Sequence, residues 1–196
     1  NALKEWAYLS PTRFNPNQKI LENYGLSANQ YIFIREVSVG SLNYANQQKN
    51  IIASVADRLP KKIKVLLSLE DKSTYAQYPS DWILLKEPVE SIHSLIYFSK
   101  ILISSGDSMA REGAMLGVPS IYCGIREMVA NKVLMDRQML YFVEADSVPE
   151  MVNNVLSNTV KIKKQDIFIS ELNHEWEDVT NRIIKEVYII KSNKII

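Results

Sequence analysis

The chain of 196 residues has one cysteine, Cys123, and two histidines, His93 and His174. An intramolecular disulfide is therefore impossible, nothing points to secretion, and three such residues far apart in sequence make no metal-ligand cluster. There is no Asp-x-Asp run to hold a metal–diphosphate, no Gly-x-Ser-x-Gly elbow and no Walker lysine, which removes the serine-hydrolase and P-loop readings. No apolar run approaches the length of a membrane span. Charge of one sign is also missing: 23 basic residues face 22 acidic ones, giving a formal charge of +1. The basic residues are scattered among acids rather than clustered with aromatics, so nucleic acid is a poor partner. Cytoplasm is the default expectation, and a start at Asn1 rather than methionine fits a piece of a longer protein.

What is present is concentrated in residues 101–124, ILISSGDSMAREGAMLGVPSIYCG. Residues 101–104 read as a buried strand, 105–108 as a small-residue turn and 109–116 as a short helix closed by Gly117, with a second buried strand from Pro119. A turn of Ser105, Gly106, Asp107 and Ser108 that feeds a helix leaves backbone N–H groups free at the positive end of the helix dipole, a seat for an anion. Glu112 stands one turn in, with Met109 between. It is placed to accept hydrogen bonds from the hydroxyls of a ligand whose phosphates sit on the turn. Gly113 and Ala114 lack bulk and let the helix pack close to the sheet. Ser-Gly-Asp-Ser alone is a weak motif that also serves a plain tight turn, and Glu112 alone also suits a solvated helix face; the spacing from Glu112 to Pro119 strengthens both.

Elsewhere strands and helices alternate. Strands are expected at 31–37, 63–69, 82–85 and 140–143, and helices from Asn15-Pro16 to Tyr24, then at 46–59, 91–100, 129–138, 149–156 and 175–190. Residues 1–12 read as an extended connector, and 160–169 alternate weakly. This order predicts an α/β fold: a Rossmann-like, doubly wound parallel sheet of about six strands flanked by helices. If the first strand lies beside the fourth, a ligand enters where the chain reverses direction, between loop 38–43 with Gly40 and loop 105–108 with Gly106. Arg35, at the end of the first strand, either clamps a phosphate or pairs with Glu36 or another surface carboxylate. His93 either approaches the ligand as an acid–base group or makes a structural hydrogen bond at a helix start. Arg111 reads as a surface partner of a neighbouring acid, and Cys123 as a small buried hydrophobe.

The order Ser105-Gly106, five residues, Glu112, four residues, Gly117-Val118-Pro119 resembles the nucleotide-sugar motif in the C-terminal domain of GT-B glycosyltransferases. It is similar to the corresponding motif of UDP-N-acetylglucosamine 2-epimerases, and most similar to a prokaryotic family of GT-B-like proteins of unknown function with a Gly-x-x-Met-Ala-x-Glu-x-x-x-x-Gly-x-Pro run. Gly113 stands where these proteins more often have alanine.

The resemblance implies a donor-binding half. Residues 1–14 would be a connector from a missing N-terminal half, 15–190 the nucleotide-sugar-binding domain and 191–196 a frayed tail. It implies a UDP-sugar as substrate, no metal or redox cofactor, and a base held by residues 86–89 and the start of the next helix, which adds Glu87, Val89 and His93 to the site. The missing half, or a partner chain, would carry the acceptor and the catalytic base, in the service of cell-surface polysaccharide or glycoconjugate synthesis. An epimerase is the alternative, although epimerases usually carry a His-Arg pair where this chain has Arg35-Glu36-Val37-Ser38. A non-catalytic binding or assembly module is the other.

Overall fold

Tyr31, Ile32, Phe33 and Ile34 are all fully buried. Only a strand covered on both faces hides consecutive side chains in this way. In the computed structural model of the chain, which describes residues 2–40, 44 and 46–193, these residues open β1 (Tyr31–Glu36), which lies between β2 (Lys64–Leu69) and β4 (Ile101–Ser104). With β3 (Ile83–Leu84), β5 (Ser120–Tyr122) and β6 (Leu140–Phe142), the described residues form a six-stranded sheet in the order β3-β2-β1-β4-β5-β6, every pair parallel. Ile32 is in register with Val65 on one side and Ile101 on the other. The chain thus reverses direction between β1 and β4, as the alternating pattern predicts, and the ends of these two strands mark the switch point.

Each face of the sheet has its own core. On one face Tyr31, Phe33, Leu66 and Leu102 pack against α1 (Trp6–Leu9), α2 (Ile92–Tyr97), α3 (Asp107–Met115), α4 (Val129–Met135) and α6 (Gln165–Glu175). On the other, Ile32, Ile34, Leu67 and Ile103 pack against a 3-10 helix at Ala53–Arg58 and α5 (Val148–Leu156). The period-two alternation of β1 therefore sends Arg35 and Glu36 to opposite faces, which separates the two regions described below.

Several helix expectations are corrected. Residues 2–12 are not an extended connector: α1 buries Trp6 and Leu9. The expected helix at 46–59 is only a 3-10 turn at Ala53–Arg58; a run containing Ile51, Ile52 and Val55 disfavours α-helix, and Ser54 Oγ hydrogen-bonds the Ile51 carbonyl (2.6 Å). The first expected helix is a 3-10 helix at Gln18–Tyr24, capped by Asn17 rather than Asn15. Of residues 160–169, those from Gln165 onward begin α6. The terminal stripe is broken: Trp176, buried edge-on against Trp6 (centroids 5.5 Å apart), follows α6, and α7 begins only at Val179. The expectations for residues 41–43 and for 194–196 lie outside the described residues. Among the described residues, no helix is long and apolar enough to cross a membrane.

Candidate functional site

The turn after β4 is built by small side chains. Ser104 Oγ accepts from the Gly106 N–H (3.0 Å) and donates to the Gly106 carbonyl (2.7 Å), while the buried Ser105 Oγ accepts from the Val37 N–H (2.9 Å). The β4 turn is thereby joined to the end of β1. Gly106 is needed for this approach, because a Cβ there would stand 2.6 Å from Val37 Cγ1. No side chain caps α3, so its first N–H groups keep their donor capacity.

Asp107 is the first residue of α3 and is buried, with Oδ2 2.7 Å from Arg111 Nη1, and with Arg126 Nη1 (3.2 Å) and the Tyr44 hydroxyl (3.3 Å) on Oδ1. The chain's own carboxylate thus takes up part of the positive potential of the helix start. Ser108 Oγ accepts from Arg111 Nη2 (3.3 Å), and Met109 packs on the core.

Glu112 leaves α3 toward α2 and the N-terminal segment. Its Oε1 accepts from the Tyr8 hydroxyl (2.7 Å), and Oε2 pairs with His93 Nε2 (3.2 Å). Tyr8 and Phe14 flank the His93 ring at 5.6 and 6.1 Å, and Val89 packs on the core below. Burial alone would raise the Glu112 pKa, but the hydrogen bonds from His93 and Tyr8 and the charges of His93 and Arg111 outweigh it and hold the carboxyl below its ordinary value. A carboxylate offers about four acceptor positions, so two remain.

The depressed folded-state pKa means that Glu112 contributes stability above the unfolded value of about 4.5 and loses it as pH falls through the folded value. Urea stability measured across the acid range is expected to fall more steeply in the wild type than in Glu112→Gln. Parallel curves would contradict the ion-paired state.

The other expected site residues divide. Arg35 binds Glu70 (2.6 Å) and Ser68 (2.9 Å), so of its two readings the carboxylate pairing is the one made, with Glu70 rather than Glu36. Glu87 is exposed and paired with Lys72 (2.8 Å). Gly40 lies on an exposed loop, its N–H donating to Ser38 Oγ (3.3 Å). Val37 and Tyr44 bridge from the β1 side to the β4 turn. Cys123 is buried, and burial pushes its thiol pKa up.

Arg111 is a correction. It is not on the surface but buried between Glu5 (3.0 and 3.1 Å), Asp107 and Asn131 (2.9 Å). Tyr8 and Phe14 lie in the stretch expected to be a connector, and no sequence spacing links Tyr8 to a carboxylate 104 positions away. Arg126 was also missed. Its place in the loop after β5, beside the switch point, is the signal that would have found it.

A family model described as "Protein of unknown function (DUF354)" matches residues 7–191. The chain is 27% identical over 123 residues to an uncharacterized protein of Methanocaldococcus jannaschii, a match spanning 61% of this chain and 35% of that protein. Among solved structures, it resembles a UDP-N-acetylglucosamine 2-epimerase from Rickettsia bellii with TM-score 0.58 at 15% identity, covering 86% of this chain and 47% of that one. It also resembles the spinosyn forosaminyltransferase SpnP, with TM-score 0.58 at 14% identity, 96% and 47% covered. A third likeness is to the glycosyltransferase VinC, solved in complex with dTDP, with TM-score 0.57 at 9% identity, 91% and 45% covered. These likenesses show a shared Rossmann-like fold of the GT-B kind, and the chain spans less than half of each solved protein.

Proposed function

The chain belongs to the DUF354 family, and we propose that it is the nucleotide-sugar-binding half of a GT-B-like glycosyltransferase acting in polysaccharide or glycoconjugate synthesis, with a uridine diphosphate sugar as donor. The observation that carries this reading is Glu112: a carboxylate kept ionised, with acceptor positions to spare, one turn into an uncapped helix at the switch point of the sheet. The step from Asp107 to Glu112 spans about 7–8 Å of helix axis, the scale that separates ribose hydroxyls from a diphosphate. In this reading Glu112 accepts from the ribose diol, the first N–H groups of α3 bind the diphosphate, and residues 86–89 with His93 hold the base. Preorganised N–H donors at the helix start would stabilise the charge that develops on the departing phosphate. The acceptor and the catalytic base would come from the missing half, so the isolated chain binds without turnover.

Calorimetric titration with UDP tests the reading, with GDP as the control. Glu112→Ala is expected to weaken UDP binding by about 1.5–3 kcal/mol, the worth of a hydrogen bond to a charged group, or about 10- to 150-fold in Kd. UDP binding that is indifferent to Glu112→Ala would remove the ribose assignment.

A further inference from the structure

Glu36 ends β1 on the face of the sheet opposite α3 and Glu112. Its side chain is enclosed, the residue being 3% exposed. Oε2 accepts from the Ile52 N–H (2.7 Å) and the Tyr78 hydroxyl (3.1 Å), whereas Oε1 is buried and makes no hydrogen bond of good geometry, although the Ser105 hydroxyl and the Ala53 backbone lie against the carboxyl. Buried polar atoms in folded proteins are almost always satisfied, because leaving one without a partner forfeits its solvation with nothing in return.

Glu36 also lines an open cleft of about 600 Å³ between the ends of β1 and β2, within the size range of small-molecule sites. The walls carry the hydroxyls of Ser38 and Thr74, the amides of Asn50 and Gln77, the carboxylate of Asp71 and the ammonium of Lys49, and the described lining contains no aromatic ring. Asn50 Nδ2 donates to Gln77 Oε1 (2.7 Å) and Thr74 Oγ1 to the Asp71 carbonyl (2.8 Å), which fixes one wall. Such a lining has no platform for a nucleobase but many groups that exchange hydrogen bonds with a polyol.

We infer that this cleft is a second binding site, taking a carbohydrate of which one hydroxyl hydrogen-bonds Glu36 Oε1. A hydroxyl suits this position in either protonation form, donating to the carboxylate and accepting from the acid. Burial pushes the Glu36 pKa up, against the lowering effect of the Ser105 and Tyr78 hydroxyls and the Ile52 and Ala53 backbone, so a group with both capacities is the fitting partner. The inference is independent of nucleotide binding at Glu112, since the two carboxylates lie on opposite faces of the sheet.

The test is an amide NMR titration of the full chain with glucose, galactose and N-acetylglucosamine at up to tens of millimolar, with UDP titrated separately. At least one sugar is expected to shift the amides of residues 37–40 and 69–77. In Glu36→Gln the retained oxygen serves Ile52 and Tyr78, an NH2 donor replaces the free acceptor, and sugar affinity is expected to fall about tenfold with loss of that acceptor while UDP binding is unchanged. Gln77→Trp, at an exposed position on the cleft wall, is expected to abolish the sugar shifts by filling the space, which keeps the test open if Glu36→Gln folds poorly. Absence of shifts with all three sugars, or shifts indifferent to both substitutions, would overturn the inference and leave Oε1 to an ordered water.

Discussion

Replacing Arg111 by methionine is expected to cost about 3–5 kcal/mol of stability, the range for removing one partner of a buried ion pair. Glu5, Asp107 and Arg111 are 1, 1 and 3% exposed, so the substitution strands Glu5 with little access to water and leaves Asp107 with only Arg126 and the Tyr44 hydroxyl. Burial alone would lower the guanidinium pKa, but Asp107 and Glu5 more than offset this and keep it charged. Urea unfolding would show the effect as a lower midpoint at unchanged slope. Adding Glu5→Gln and Asp107→Asn to Arg111→Met should recover most of the loss, since burying neutral groups costs far less than burying unpaired charges. A loss below about 1 kcal/mol for Arg111→Met, the worth of an exposed pair, would show that water reaches the cluster. The substitution also bears on the site. Glu5 immediately precedes α1, and its bond to Arg111 holds that helix against α3, where Tyr8 reaches Glu112.

Gly124→Ala is also expected to be damaging. A Cβ at this position would stand 2.4 Å from the Ser105 carbonyl oxygen, 2.7 Å from Gln47 Oε1 and 2.7 Å from Tyr122 Cε2. The first of these is backbone, and Ser105 is held by Val37 and Gln47 (3.0 Å from Gln47 Nε2 to the carbonyl), so relief requires moving the turn that starts α3. Overpacking of this kind costs about 1–3 kcal/mol, and displacement of the turn should also weaken UDP binding. Gly40→Ala is the control: among the described residues its Cβ would meet only Ser38 Oγ, at 3.5 Å, and its stability change should stay within about 0.5 kcal/mol. Equal stability of the two variants would show that the β4 turn yields without cost.

The strands were legible because burial on both faces demands unbroken apolar runs, and 31–34, 65–67 and 101–103 are such runs. The helix at 107–115 and its stop at Gly117 (φ 71°) were legible from the turn and the glycine. The 3-10 segments were not, since the same apolar spacing serves a short tight helix as well as an α-helix when only one or two turns pack on the sheet.

The sequence by itself determined the class of fold, the order of the strands and the position of Glu112 one turn into α3, because each rests on periodicity or spacing within a few residues. Tertiary structure alone decided which charges are buried and with whom. Arg111 and Arg35 look alike on paper, yet one is sealed between Glu5 and Asp107 and the other lies at a sheet end with Glu70. The Tyr8–Glu112 and Glu5–Arg111 bonds join residues 104 and 106 positions apart, and the open oxygen of Glu36 exists only because Tyr78 and the Ile52 backbone enclose its neighbour. Burial and partnership of a polar group depend on elements that the chain brings together from a distance, and local spacing carries no record of them.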